Sequence, residues 1–393
     1  MPEAKNLKVW FISSWYPTRV HDTRGNFVAR HAAAVAGFAR VCVLHVSSDP
    51  ALKQGQELTE RYSGNLSEYI LYLPAPGRKI PLLSPLIRYL KFRNAYKHLA
   101  SVAEKKFGKP DLIHANVFYP ITIFASNLAS RYHIPFVVTE HWTAYLPGDP
   151  VQIRGRALDL CRRMAAKAAC IMPVSQHLAV AMQTLGMKGR YQVVSNVVDT
   201  ELFTPARSKT KGEAFRFLHV STLHHEQKNF DGLLRILKAL KEKRQDFVLD
   251  LISDGSIEPY MKLVEESGLR DFIRFHGKME ARDVALIMQQ ADALLLCSRY
   301  ENFPCVIPEA WACGVPVVST DVGGIAEHLT DELGILVPEG NEKVYMAGLE
   351  ALLSGNRRFD SDKLRQYALS HFSLAVIGNE FLKVYQKVIE PRV

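Results

Sequence analysis

The sequence predicts two doubly wound α/β domains joined by a short linker, and three observations carry that reading. Short β-rich apolar runs alternate with helical patterns of 10–15 residues, the arrangement of βαβ units and parallel sheets. Runs such as Ala293-Leu294-Leu295-Leu296-Cys297 are unbroken, as strands buried on both faces require. The alternation restarts near residue 215, after the polar, aperiodic stretch TPARSKTKGEA, which reads as a linker. At about 150 residues per domain, 393 residues suit two or three domains.

The first domain, residues 1–205, is expected to hold strands at Val9–Ser13, Val41–Val46, Tyr69–Leu73, Asp111–Ala115, Pro135–Thr139, Ala169–Val174 and Tyr191–Ser195. Its helices are expected at Asn26–Phe38, Pro85–Phe107, Pro120–Arg131 and Gln176–Leu185. Residues 206–213 form the linker. The second domain, residues 214–370, is expected to place strands at Arg216–Ser221, Phe247–Ser253, Phe272–His276, Ala293–Ser298, Pro316–Thr320 and Gly334–Val337. Between them fall helices at Asn229–Lys243, Pro259–Ser267, Ala281–Gln290, Ile307–Cys313 and Glu342–Leu353. The last stretch, 371–393, carries a helical pattern at Leu374–Ile389 that is expected to pack back on the first domain. Ligands of such folds lie beyond the carboxyl ends of the strands, so the cleft between the domains is the expected site.

Composition narrows the function. Hydrophobic residues make up 48% and charged residues 23%, values of a globular protein rather than a disordered or collagen-like one. The net charge of +9 is uneven: +14 over residues 1–210 and −5 over residues 211–393, which suggests different partners for the two halves. No apolar run reaches the 18 or so residues of a spanning helix, and the N-terminal apolar run is too short for a signal peptide. A cytoplasmic location is expected. None of the six cysteines forms C-x-x-C, so zinc and dithiol chemistry are disfavoured and buried thiols expected. The D-x-D at Asp360-Ser361-Asp362 precedes a helical pattern and reads as a helix cap. No G-x-G-x-x-G follows the first strand, which argues against a dinucleotide dehydrogenase. The adjacent pair His224-His225 is a weak metal candidate.

The richest segment is Arg299–Leu329, RYENFPCVIPEAWACGVPVVSTDVGGIAEHL. A buried strand runs into a loop carrying Glu301, a helix holding Glu309 follows, and the next strand ends in Asp321-Val322-Gly323-Gly324. Carboxylates placed this way at a cleft accept hydrogen bonds from vicinal hydroxyls, the means of reading a sugar or ribose ring. The turn Asn302-Phe303-Pro304 leaves backbone N–H groups near a helix start, which favours anions. In the first half, Arg24-Gly25-Asn26 opens a helix, with a glycine where a backbone can approach a phosphate. His141 follows a strand end in Thr139-Glu140-His141-Trp142.

This string, E-x7-E with a downstream G-x-P-V-V and G-G-x-x-E, resembles the donor-binding motif of the retaining glycosyltransferases of family 4, which have the GT-B fold. SSWYPTRVHDTRGNFVARHAAAVA, DLIHANVFYP, PFVVTEHWT, VSNVVDTELFTP and HVSTLHHEQKNFDGLL agree in order across nearly the whole chain. The resemblance implies two Rossmann-like domains facing a central cleft and a nucleotide-diphosphate sugar as donor substrate, with no metal or other cofactor. It implies Glu309 on the ribose hydroxyls and Glu301 under the donor sugar. It further implies the backbone of Asn302, Phe303 and Pro304 on sugar and diphosphate, Lys228 on the diphosphate, Gly25 lining the cleft and His141 at the donor sugar. Where the family carries an arginine some six residues before the lysine, this chain has Thr222, and Arg299 or the His224-His225 stretch is a candidate replacement. The implied activity is a hexosyl- or N-acetylhexosaminyl-type transfer to a hydroxyl of a glycan or lipid-linked acceptor in surface-glycan assembly. A nucleotide-sugar epimerase or hydrolase of the same fold, and a non-catalytic binding subunit, are the alternatives.

Residues 86–107 carry Arg88, Lys91, Arg93, Lys97, Lys105 and Lys106 against Glu104 alone, interleaved with apolar and aromatic residues. A second basic segment spans 154–167. Two readings stand side by side: a face that docks on an anionic membrane leaflet, or a solvated face of a helix packed on its sheet. No nucleic-acid recognition motif is present, so nucleic acid is not an expected partner.

Overall fold

The structure, a computed structural model, describes residues 6–75, 84–208 and 214–390, apart from the side chains of residues 84–86 and 88. The first half contains β1 (Lys8–Ser13), α1 (Asn26–Ala36), β2 (Arg40–Asp49), β3 (Glu57–Ser63), β4 (Leu66–Pro74), α2 (Ser84–Lys106), β5 (Leu112–Asn116), α3 (Phe118–Tyr132), β6 (Phe136–Glu140), α4 (Gly155–Ala165), β7 (Cys170–Pro173) and α5 (Gln176–Thr184). The second contains β8 (Phe215–Val220), α6 (His225–Lys228), α7 (Phe230–Lys241), β9 (Phe247–Ile252), α8 (Glu258–Glu266), β10 (Ile273–Gly277), α9 (Ala281–Gln290), β11 (Ala293–Leu296), α10 (Val306–Ala312), β12 (Val317–Asp321), β13 (Gly334–Pro338), α11 (Glu342–Leu353) and α12 (Ser361–Phe372). The closing helix is α13 (Leu374–Ile389).

The strands form two sheets, β3-β4-β2-β1-β5-β6-β7 and β10-β9-β8-β11-β12-β13. Among the described residues every strand pairing is parallel except β3 with β4. Helices cover both faces, so alternate residues of one strand enter different cores. Trp10 and Ile12 pack with α2, α3 and α4 residues, whereas Val9 and Phe11 pack with α1 and α13 residues. Leu294 and Leu296 of β11 likewise face a different core from Ala293 and Leu295. This double burial explains the unbroken apolar runs.

In the first sheet β1 lies between β2 and β5; in the second β8 lies between β9 and β11. These are the points where strand order reverses, and the loops after β1 and β8 open the crevice where ligands of such sheets bind.

Several expectations are corrected. Tyr191–Ser195 is not a strand: only Tyr191 bridges to Ile171, and the chain beyond it crosses toward the second half. The sequence reading missed β3, a polar edge strand (ELTERYS) paired antiparallel with β4. It also missed α6, a single turn, and α4, whose basic residues hide a face buried through Leu158, Cys161 and Met164. Asp360 is the N-cap of α12, accepting from the backbone N–H of Asp362 and Lys363. Residues 209–213 of the expected linker lie outside the described residues. Helix α13 packs on α1, where a Cβ at Gly378 would lie 2.3 Å from the Ala34 carbonyl oxygen. Five cysteines are buried and Cys305 is partly exposed.

Candidate functional site

A cavity of about 630 Å³ lies between the two halves. Its walls are the loops that follow strands. The first half contributes Trp15 after β1, Phe27 of α1, His141, Trp142 and Thr143 after β6, and Asn196. The second contributes Thr222 after β8, Lys228 of α6, Asp254 after β9, Lys278 after β10, and Glu301 through Val306 after β11. Seven residues expected at the site (His141, Thr222, Lys228, Glu301, Asn302, Phe303 and Pro304) thus line one cavity.

Lys228 ends the short turn α6, which Asn229 terminates with a positive φ of 51°. Its ammonium lies 2.5 Å from Glu301 Oε1. The same oxygen accepts from Ser298 Oγ at 2.9 Å, and Glu301 Oε2 from Gln227 Nε2 at 3.2 Å. The loop bearing Glu301 is braced by the diglycine turn after β12. Gly323 sits at φ 62°, and a Cβ there would lie 1.7 Å from the Glu301 carbonyl oxygen. Gly324 N–H donates to Asn302 O at 2.7 Å. The glycines of the G-G-x-x-E string therefore permit a backbone approach that any side chain would block.

His141 is positioned by the residue before it. Buried Glu140 accepts from the backbone N–H of His141 and Trp142 through Oε1, both at 2.7 Å, and of Phe118 through Oε2 at 2.8 Å. Burial pushes its carboxyl up to about 7, against the opposing pull of those N–H groups. The His141 ring lies against Phe27 (4.2 Å) and His31 (5.1 Å). Burial, then the neighbouring His31 and His114, hold its pKa well below the ordinary value, with the Asn196 side chain pulling the other way. His141 is thus a neutral imidazole, and its Nε2 is buried with no hydrogen-bond partner.

Other expected residues fall elsewhere. Glu309, on α10, does not line the cavity; its carboxylate pairs with Arg30 of α1, and both side chains are largely buried. Arg299 does not line it either: its guanidinium donates to His225 O at 2.9 Å and pairs with Asp231 at 3.5 Å. Gly25 is the residue before α1, at φ 79°, and a Cβ there would lie 2.5 Å from the Trp15 carbonyl carbon. What demands glycine there is the tight loop after β1. Thr222 lines the cavity with a hydroxyl where the resemblance implies a guanidinium. His224 and His225 are exposed, and His225 Nε2 lies 3.7 Å from Asp231. Among the described residues no group of three or more His, Cys, Asp or Glu is placed to hold a metal ion.

Sequence reasoning assigned no role to Lys278, Asp254, Asn196 or Arg30. Lys278 Nζ lies 2.6 Å from both carboxylate oxygens of Asp22 across the cleft, and Thr23 Oγ1 donates to Asp254 at 3.1 Å. Asn196 Nδ2 donates to Phe303 O (2.8 Å) and Asn302 Nδ2 to His141 O (2.6 Å). Glu327 accepts from the Gln176 and His177 N–H groups at the start of α5 (2.8 and 2.7 Å). The only local hint was position: Asp254 and Lys278 each follow a strand end.

On the basic helix, Lys91 and Lys97 are exposed and Arg93 is half-buried, with its Nε buried and unpartnered. The Arg88 side chain lies outside the described residues. Ala95, Tyr96, Leu99, Ala100 and Ala103 form the buried face.

Two Rossmann-like domains with strand ends converging on an interdomain cleft define the GT-B class. Residues 40–202 match the model described as Glycosyltransferase Family 4, and residues 214–355 the model described as Glycosyl transferases group 1. The chain is a GT-B glycosyltransferase related to family 4. It is 27% identical over 283 residues to a D-inositol 3-phosphate glycosyltransferase of Xylanimonas cellulosilytica, a span of 66% of this chain and 67% of that one. Its fold is similar to Alr3699/HepE of Anabaena in complex with UDP-glucose (TM-score 0.70, 18% identity, 97% of this chain and 100% of that one). It is also similar to the lipopolysaccharide outer core galactosyltransferase WaaB in its apo form (TM-score 0.65, 18% identity, 97% and 100%). Among the described residues no helix is long and apolar enough to cross a membrane.

Proposed function

We propose that the chain moves a hexosyl or N-acetylhexosaminyl group, with retention, from a nucleotide-diphosphate sugar to a hydroxyl of a glycan or lipid-linked acceptor in polysaccharide or glycoconjugate assembly. The observation that carries this is the pairing of charges in the cavity: Lys228 and Glu301 on one wall, with neutral His141 on the other. A leaving diphosphate gains negative charge as its bond to C1 breaks, and a fixed ammonium in a partly dry cavity stabilises it. Lys228 has that role in this reading, with Lys278 as the second cation of the cavity in place of the arginine absent at 222. The donor's UDP finds support in the HepE complex with UDP-glucose.

In the proposed step the acceptor hydroxyl attacks C1 on the face the diphosphate leaves. The C1–O bond to the diphosphate breaks as the new glycosidic bond forms, and a diphosphate oxygen takes the hydroxyl proton. Glu301 accepts hydrogen bonds from donor-sugar hydroxyls, and neutral His141 offers a ring N–H or lone pair to the same sugar. Glu309, once released from Arg30, binds the ribose. No metal enters the step. The domain division, 1–205 with 371–393 against 214–370, assigns acceptor to the first and donor to the second. Exposed Lys91 and Lys97 on α2 suit peripheral contact with an anionic inner leaflet.

The test is a thermal-shift panel of nucleoside diphosphates and their sugar conjugates, with and without chelator, followed by NMR of the transferred anomeric centre. A chelator-insensitive shift with one nucleoside diphosphate and a product that keeps the donor's anomeric configuration are expected. An inverted product, or activity abolished by chelator, refutes the corresponding part. Free sugar released at the full rate without acceptor marks a hydrolase instead.

A further inference from the structure

We propose that the first-half wall of the cavity is a subsite for a neutral sugar ring of the acceptor, built on Trp142 and Trp15. The inference rests on the transferase reading above and names the acceptor class that reading leaves open.

Charge is the first observation. The charged side chains lining the cavity, Lys228, Asp254, Lys278 and Glu301, all belong to the second half. The first-half lining holds aromatic rings, Thr23, Thr143, Val174, Asn196 and His141, with no charged group. The nearby carboxylate, Glu140, is spent on three backbone N–H groups. The two walls are therefore built for different chemistry: one for a diphosphate, one for a ligand without charge. A phosphorylated acceptor, such as the D-inositol 3-phosphate in the name of the Xylanimonas cellulosilytica relative, would need a cation on this wall. Arg24 has its guanidinium 5.7 Å from the centre of the Trp15 ring, but it is exposed and does not line the cavity.

The second observation is the aromatic corner. Trp15 and Trp142 meet edge-on, with centroids 5.9 Å apart at 74°, and Phe27 meets Trp15 at 6.2 Å and 80°. Both tryptophans are only partly buried although they sit inside the cleft. Neither indole N–H makes a hydrogen bond among the described residues; of the other two tryptophans, buried Trp311 donates to a carbonyl and Trp10 has no partner. An indole offers an apolar face to the axial C–H groups of a pyranose and an N–H to a ring hydroxyl. Because Arg24 already lies over Trp15, Trp142 is the principal platform and Trp15 its side wall.

The test uses the full chain with saturating UDP. Binding of methyl glycosides of glucose, galactose, mannose and N-acetylglucosamine, and separately of myo-inositol 3-phosphate, is followed by saturation-transfer NMR. At least one neutral glycoside is expected to bind ten-fold or more tightly than the inositol phosphate. Trp142→Leu should weaken it at least ten-fold and Trp142→Phe by no more than three-fold. Both variants should keep the wild-type melting temperature and UDP shift. Tighter binding of inositol phosphate, no binding of any glycoside, or an unchanged affinity in Trp142→Leu overturns the subsite. Absence of any nucleotide shift in the wild type would instead strike the transferase reading.

Discussion

Replacing Lys228 by Met tests whether the cavity works by charge. The methionine keeps most of the stem's volume and removes the ammonium that lies 2.5 Å from Glu301. Both side chains are largely buried, 16% and 7% exposed, so the change leaves Glu301 with only Ser298 and Gln227 as partners. Breaking a buried pair from one side costs about 3–5 kcal/mol. The lower end applies, because the cavity admits water. At about 2–4 °C per kcal/mol for a domain of this size, melting should fall by roughly 6–12 °C. Losing a preorganised charge from the leaving group should cost about 10²–10³ in kcat. The two effects separate in the double variant Lys228→Met/Glu301→Gln, where no unpaired carboxylate remains. Its melting temperature should recover most of the loss while turnover stays low. The assay is release of nucleoside diphosphate in single-turnover mode beside calorimetry of each variant. Turnover within five-fold of wild type in Lys228→Met, or turnover restored together with stability in the double variant, would refute the electrostatic role.

Other outcomes follow from the same geometry. Glu309→Ala strands the largely buried Arg30, so it should lower melting through the unpaired charge and weaken the bare nucleotide at least ten-fold; normal nucleotide affinity by calorimetry would remove the ribose role. Burial pushes the Glu140 carboxyl up to about 7, from its ordinary value of 4.5. The native state therefore binds the proton more tightly, and this group's contribution to stability declines as pH rises from 4.5 to about 7. Glu140→Gln should flatten that slope in melting temperature against pH, and an unchanged slope would remove the assignment. His141→Ala should lower turnover by about 10² while circular dichroism stays native, the scale of a lost preorganised contact. Charge reversal at Lys91 and Lys97 should weaken sedimentation with anionic vesicles and leave neutral vesicles unaffected; equal binding to both would leave α2 a solvated face.

What the sequence revealed and what it hid divide by distance along the chain. Buried parallel strands write themselves locally, so β9, β11 and β12 are readable from Phe247, Leu294 and Val317 and their neighbours. The edge strand β3 has one solvated face and no second cover, and ELTERYS shows neither pattern. Lys228 and Glu301 emerge from motif resemblance, and their meeting follows from the switch point at β8. The partner of Glu309 is Arg30, 279 positions away, and no local pattern announces a pair that forms only when two domains face each other. The same holds for Lys278 with Asp22 and for Asn302 with the His141 carbonyl. The demand for glycine at 25 was visible, but its cause, the backbone of Trp15, was not.

The return of α13 to the first half sets the order in which the molecule can be completed. The Tyr385 hydroxyl shares a hydrogen bond with Nδ1 of buried His114 at 2.7 Å, and Ile377 and Phe381 fill the same core as Val9 and Phe11. His114 leaves the ribosome 271 residues before that partner, an interval of roughly 14–54 s at 5–20 residues per second. Throughout it the apolar face that Ile377 and Phe381 cover, beside α1 on the first sheet, lacks that cover. The first domain is thus sealed only after the second has been made, and until then the growing chain carries an apolar face that α13 comes to cover.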